Sequence, residues 1–139
     1  MAALFHDTGF TRQYTDNEKI GAEIARRYLE NIYYPQDRIQ KIERLIQATV
    51  LFSDANDILE GIIQDADLDN LGRKDCFIKT LLVRKELITI NHMDMPKRKW
   101  LSFTYNLMRN YHYKTSTAQS EREVTQNLNI KKLEEKIAL

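Results

Sequence analysis

Apolar residues recur at helical spacing almost from end to end of this chain. Ile20, Ile24, Ala25, Tyr28 and Ile32 fall three and four residues apart, which places them on one face of a helix that Asp16 or Asn17 can cap and that runs to about residue 33. Pro35 suits the first turn of the next helix, where its missing N–H costs nothing. Ile39, Ile42, Leu45, Ile46 and Thr49 then carry an inner face to about residue 50. Ser53 and Asp54, with Asn56, mark a loop and a new cap, and Ile58, Leu59, Ile62 and Ile63 drive a fourth helix. Gly72 punctuates, and a helix over residues 74–90 offers Phe77, Leu81, Leu82 and Leu87 to a core. Met95-Pro96 opens a sixth helix with Trp100, Phe103, Leu107 and Tyr111 as its stripe. Thr115 or Ser116 caps a last, highly charged helix along which Val124, Leu128, Leu133 and Ile137 trace a narrow seam.

The first seven residues read as the end of a helix. Apolar residues begin at once with no capping side chain, and so short a segment is far below the roughly 12–15 residues of even a marginal free helix, so it has to be docked. Gly9 is expected to close it as a C-terminal cap. No strand-length alternation, linker or internal repeat interrupts the pattern. The expectation is one all-α domain over residues 1–139, of about six to seven helices, with residues 115–139 as the final charged helix.

Composition changes this picture little. The 139 residues include four glycines and two prolines, few punctuators for a chain of short strands, and 42% are hydrophobic against 29% charged, a balance suited to a packed core. Lys plus Arg number 21 against 20 acids, so the net charge of +1 gives no overall pull toward nucleic acid or an anionic membrane. The single cysteine, Cys76, cannot form an intrachain disulfide and is read as a packing residue in a reducing, cytoplasmic setting. No apolar run approaches the roughly 18 residues that span a bilayer, and the N-terminal residues lack a signal-peptide pattern.

Two short stretches carry candidate chemistry. In Leu4-Phe5-His6-Asp7-Thr8-Gly9 an imidazole and a carboxylate stand side by side at a helix end, a pairing suited to a divalent metal such as Zn, Mn, Fe or Co. In Gln64-Asp65-Ala66-Asp67-Leu68-Asp69 three carboxylates alternate, flanked by Ile63 and Leu71. Such a cluster at a core boundary is costly unless paired or metal-bound. It is not a calcium loop, having no glycine at the sixth position and no glutamate at the twelfth. The bland alternatives are a surface dipeptide for His6-Asp7 and a solvated helix end for the acidic run. His92, Asp94 and Lys97-Arg98-Lys99 read as solvated loop residues, and His112 as a packed, hydrogen-bonded histidine between core tyrosines.

Taken in order, Ala2-Ala3-Leu4-Phe5-His6-Asp7-Thr8-Gly9-Phe10, Asn17-Glu18 with Gly21-Ala22-Glu23-Ile24-Ala25, Leu45-Ile46-Gln47-Ala48-Thr49 and Asp65-Ala66-Asp67-Leu68-Asp69-Asn70-Leu71-Gly72-Arg73 resemble the HD-domain superfamily of metal-dependent phosphohydrolases, in its small stand-alone branch. Trp100 and Tyr111-His112-Tyr113-Lys114-Thr115 with Ala118 extend the likeness toward the C-terminus. The resemblance implies an all-helical, HD-like bundle and a divalent metal (Mn, Mg, Zn, Fe or Co) held by His6, Asp7 and a distant aspartate, with Asp65 first choice and Asp67 second. It implies hydrolysis of a phosphomonoester or nucleotide by activated water, with Asp7 orienting the water, Glu18 in acid–base or supporting work and Arg73 on the phosphate. The family also places a histidine on a helix upstream of the His-Asp pair and often another near Asn17. Five residues precede His6 and position 17 is an amide, so the expectation is a form lacking the N-terminal helices, with weakened catalysis. The alternative is a non-catalytic helical module that binds a nucleotide or a protein partner. Self-association of the chain, no nucleic acid and no membrane complete the expected partners.

Overall fold

The computed structural model describes residues 1–138, and every regular element among them is helical. The helices are α1 Ala2–Phe5, α2 Asn17–Asn31, α3 Gln36–Gln47, α4 Ile58–Asp67, α5 Cys76–Asn91, α6 Lys97–Asn110 and α7 Ser116–Ala138, with 3-10 turns at Thr8–Thr11 and Asp69–Gly72. They form two compact units, one spanning Met1–Asp67 and the other beginning at Leu68. No helix among the described residues is long and apolar enough to cross a membrane.

In the first unit α2 packs chiefly on α3, and the four-residue α1 is docked against both and touches α4. The core is built from Ala2, Phe5, Ala22, Ala25, Leu29, Ile39, Ile42, Ile46 and Ile63. The inner face of α3 follows its periodicity, but that of α2 is turned. Ala22, Ala25 and Leu29 point inward, whereas Tyr28 and Ile32 are more than half exposed. Small residues win because α1 crosses close by: a methyl group on Gly21 would sit 3.0 Å from the carbonyl oxygens of Phe5 and His6. Across the other side of α2, the Arg26 guanidinium grips both carboxylate oxygens of Glu43 on α3.

Gly9 also departs from expectation. It is not a left-handed helix cap, since no glycine here has positive φ; it lies inside the 3-10 turn, where a Cβ would stand 1.8 Å from the Asn17 carbonyl oxygen. Its role is close approach. The side chain that caps α4 is Asp57, not Asn56: its Oδ1 accepts the amides of Leu59 and Glu60 at 2.9 and 3.0 Å. The apolar face of α4 is likewise not the one its isoleucines suggest. Ile58 and Ile62 are exposed, while Glu60, Gln64 and Asp65 are buried beside Ile63. Glu60 is held there because it accepts the backbone and side-chain N–H groups of Asn56 and the guanidinium of Arg44 at 2.6–2.9 Å.

The second unit buries Leu71, Cys76, Met108, Tyr111, Tyr113 and Leu133. Trp100, Thr104 and Met108 form the inner line of α6, and Phe103 is exposed. On α7 the buried positions are Gln126, Asn129 and Leu133; Val124 and Leu128, expected in the seam, face solvent. The Thr115 hydroxyl accepts the Ala118 amide at 3.2 Å and caps that helix. Gly72 permits the 3-10 turn to meet α7, because a Cβ there would lie 2.5 Å from Arg122 Cβ. Leu81 and Leu82 of α5, expected in the core, are exposed.

Candidate metal centre

His6 follows directly on α1, at the position that caps its C-terminal end in right-handed helical conformation. Being three residues past Ala3, its ring folds back over the last turn, and Nδ1 lies 3.0 Å from the Ala3 carbonyl oxygen. A carbonyl only accepts, so Nδ1 carries the proton and Nε2 is the outward nitrogen. That nitrogen faces two carboxylates, Asp7 Oδ2 at 3.3 Å and Asp67 Oδ1 at 3.4 Å. One ligand atom from each of the three residues falls within 4.8 Å of the others. Adjacent donors around one ion with bonds of about 2.1 Å are about 3.0–3.4 Å apart, so the two histidine–carboxylate spacings match a shared cation.

The electrostatics ask for positive charge. Burial pushes the Asp67 carboxyl above the ordinary aspartate range; His6 pulls it down, and the negative charges of Asp7 and Glu18 push it up again. Glu18 is half-buried in the first turn of α2; with the Asn17 amide turned so that its nitrogen meets the acceptors around it, that nitrogen donates to Glu18 Oε2 at 2.9 Å and to the Tyr14 carbonyl at 3.2 Å. Three carboxylates therefore act on one small volume. His6 and Asp67 are mostly shielded, with 21% and 26% of their side chains exposed, whereas Asp7 is 62% exposed. Asp7 is thus the solvent-facing member of the cluster.

Of the residues singled out from the sequence, His6, Asp7 and Asp67 meet and Glu18 stands close enough to act on Asp67. Asp65 does not join the cluster. It lies two residues before Asp67 on α4, about 200° around the helix, and is buried. Arg73 belongs to the second unit, where its guanidinium is held by Asp75 at 3.0 Å and Asp69 at 3.4 Å. His92 is exposed at the left-handed end of α5. His112 is exposed too, not packed as expected, though Tyr111 and Tyr113 beside it are buried. Two supporting features went unread: the Ala3 carbonyl that orients His6, signalled only by the i, i−3 spacing, and the Asn17 amide that orients Glu18. Compared with known protein families, curated proteins and solved structures, the chain matches none.

Proposed function

We propose that His6, Asp7 and Asp67 hold a divalent metal and that the chain is a metal-dependent phosphohydrolase of HD type acting on a phosphomonoester or nucleotide. The observation that carries the metal reading is the aim of His6. Its Nδ1–H is spent on a backbone carbonyl while Nε2 points between two carboxylate oxygens, an arrangement typical of a metal-ligating histidine with its outer partner in place. The hydrolase reading rests on the collinear resemblance of residues 2–118 to that superfamily, and with it goes the HD-like topology. A bound divalent cation supplies charge neutralisation at a phosphoryl oxygen and lowers the pKa of water. The chain's own residues do the rest. Ala3 fixes the imidazole, the half-buried Asp67 offers a partly shielded charge, and the exposed Asp7 carboxylate is placed to orient an attacking water. Glu18, held by Asn17, is the acid–base candidate. One histidine and two carboxylates form an oxygen-rich set that suits Mn, Fe or Mg better than a thiol-seeking metal.

Titration calorimetry with Mn²⁺ and Zn²⁺, paired with a phosphatase assay on p-nitrophenyl phosphate and nucleoside monophosphates, tests this. One metal per chain and metal-dependent turnover are expected. His6→Ala and Asp67→Asn should each weaken metal binding by ~100-fold or more, while Asp65→Asn leaves it intact. Wild-type affinity in both of the first two variants would refute the metal site. Metal binding without turnover would leave a metal site and remove the hydrolase.

A further inference from the structure

Between the end of α6 and the middle of α7 lies a cleft of about 180 Å³, lined by Met108, Arg109 and His112 on one side and by Glu123, Gln126 and Asn127 on the other. These residues all belong to the second unit. Glu123, Gln126 and Asn127 stand at i, i+3 and i+4, which puts them on one face of α7. Gln126 is 5% exposed, and its Nε2 is spent on the carbonyls of Met108 and Tyr111 at 2.8 and 2.9 Å. The other arm of that amide, Oε1, receives no hydrogen bond among the described residues. It is not shut in the core as the Gln64 oxygen is, and the cleft is where it opens. Glu123 adds an exposed carboxylate that forms no ion pair among the described residues, because its neighbour Arg122 is held by Asp69 and Glu121. The Arg109 guanidinium is turned back along α6: it donates to the Tyr105 hydroxyl at 2.8 Å, one turn earlier, and stands 5.9 Å from the centre of that ring.

We propose that this cleft binds a small organic cation, a primary ammonium group on a short stem, with the Glu123 carboxylate and Gln126 Oε1 as its acceptors. The carboxylate supplies the charge. The amide oxygen supplies a fixed acceptor, since the hydrogen bonds that seal the end of α6 also hold Gln126 in place, and an acceptor already in position costs no ordering on binding. The last turn of α6 adds the partial negative charge of a helix C-terminus, which favours a cation and disfavours an anion. Lys114 stands 5.8 Å from the centre of the Tyr111 ring, so that ring is wall and not recognition. The buried Met108 and half-buried Ile130 give a stem its apolar contact. The volume has room for on the order of ten non-hydrogen atoms, which admits a short amine and a few waters. Nothing in this site draws on the metal centre, whose residues lie in the first unit.

Titration of the isotope-labelled full chain with n-butylammonium, followed by heteronuclear NMR at neutral pH and constant ionic strength, tests this. Saturable shifts are expected in the amides of residues 108–112 and 123–130 and not in those of the first unit. Butyltrimethylammonium, equal in charge but without an N–H, should bind about tenfold more weakly, and butyrate should give no saturable shift. Glu123→Gln should cost about tenfold in affinity. Glu121→Gln, which alters the neighbouring carboxylate that Arg122 engages, should leave affinity unchanged. Spectra that coincide with wild type away from the cleft show that both variants are folded. Absence of saturation by butylammonium overturns the site. So does equal affinity for the trimethyl ion, wild-type affinity in Glu123→Gln, or the same shifts produced by K⁺, which would make the cleft a site for inorganic cations.

Discussion

A single nitrogen, His6 Nε2, organises the candidate centre, and the residue whose removal says most about it is Asp67. Its carboxyl is raised above the ordinary aspartate value chiefly by burial. The folded chain therefore holds that proton more tightly than the unfolded chain, and between the ordinary and the raised value stability increases as pH falls. At neutral pH the ionised carboxylate works against folding. Asp67→Asn should then raise the Tm of the metal-free protein by a few degrees and abolish the further rise expected of the wild type with Mn²⁺ on the proposed metal reading. A metal-free Tm lower than wild type would contradict this account of the site. Asp57 and Asp75 have the opposite sign: a backbone hydrogen bond from Glu60 and the Arg73 guanidinium, respectively, hold them low. Their contribution is present above the ordinary aspartate range and is lost as pH falls through their lowered values, weakly because both are exposed. Gly9→Ala is the second residue-scale test. With no room for a Cβ against the Asn17 carbonyl, the turn carrying Asp7 must shift, at a cost of about 2–3 kcal/mol by urea unfolding and with loss of metal affinity. The sequence showed the His6-Asp7 pair at once, because adjacency needs no fold. It put Asp65 ahead of Asp67, whereas the cluster holds Asp67, because the two lie on opposite sides of α4 and the phase of that helix is set by tertiary contacts.

Among the elements, the helices themselves were legible and their inner faces often were not. Length, caps and three-four periodicity were enough to find α2 through α7 within a few residues. The faces went astray where an amide side chain is buried to seal the end of another helix. Gln64 donates to the Ala48 carbonyl, at the C-terminal end of α3, at 2.8 Å. Gln126 donates to the carbonyls of Met108 and Tyr111, closing α6, at 2.8 and 2.9 Å. Asn129 does the same for Leu71 and Arg73, closing the second 3-10 turn, at 3.0 and 2.9 Å. The last carbonyls of a helix lack partners within it and are expensive to bury unpaired, so a buried Gln or Asn that reaches them outcompetes an exposed Val or Leu for the inward position. A hydropathy pattern scores those amides as surface and turns the helix the wrong way, as it did for Val124 and Leu128. The measurable consequence is that more hydrophobic is worse. Gln126→Leu and Asn129→Leu should each cost about 1–3 kcal/mol in urea unfolding, whereas the polar changes Val124→Gln and Leu128→Gln on the same helix should fall within about 0.5 kcal/mol of wild type. Neutral leucine variants would show that those carbonyls find other partners.

For the molecule as a whole, the division at Asp67 makes the candidate centre a property of the first unit. His6, Asp7, Glu18 and Asp67 all lie within Met1–Asp67, as does the core of Phe5, Ala25, Leu29, Ile39, Ile46 and Ile63 that fixes α1 and α4. The centre joins the first turns of the unit to its last helical residue, so a cation there ties the two ends of the segment together. A unit of this size is near the lower limit for a self-supporting core, and ligand linkage then has a large relative effect. A fragment of residues 1–70, extended past Asp67 to keep its new carboxylate clear of the site, should be helical but of low Tm in EDTA. Saturating Mn²⁺ at a hundredfold excess over Kd should add about 2.7 kcal/mol. The same metal should leave a fragment of residues 68–139 unchanged, because it holds none of the four residues. The decisive comparison is the 1–70 fragment carrying His6→Ala. If Mn²⁺ stabilises it as much as the unsubstituted fragment, the metal acts elsewhere. If stabilisation disappears with the imidazole, the first unit is by itself a metal-binding domain whose folding and candidate chemistry share one set of side chains.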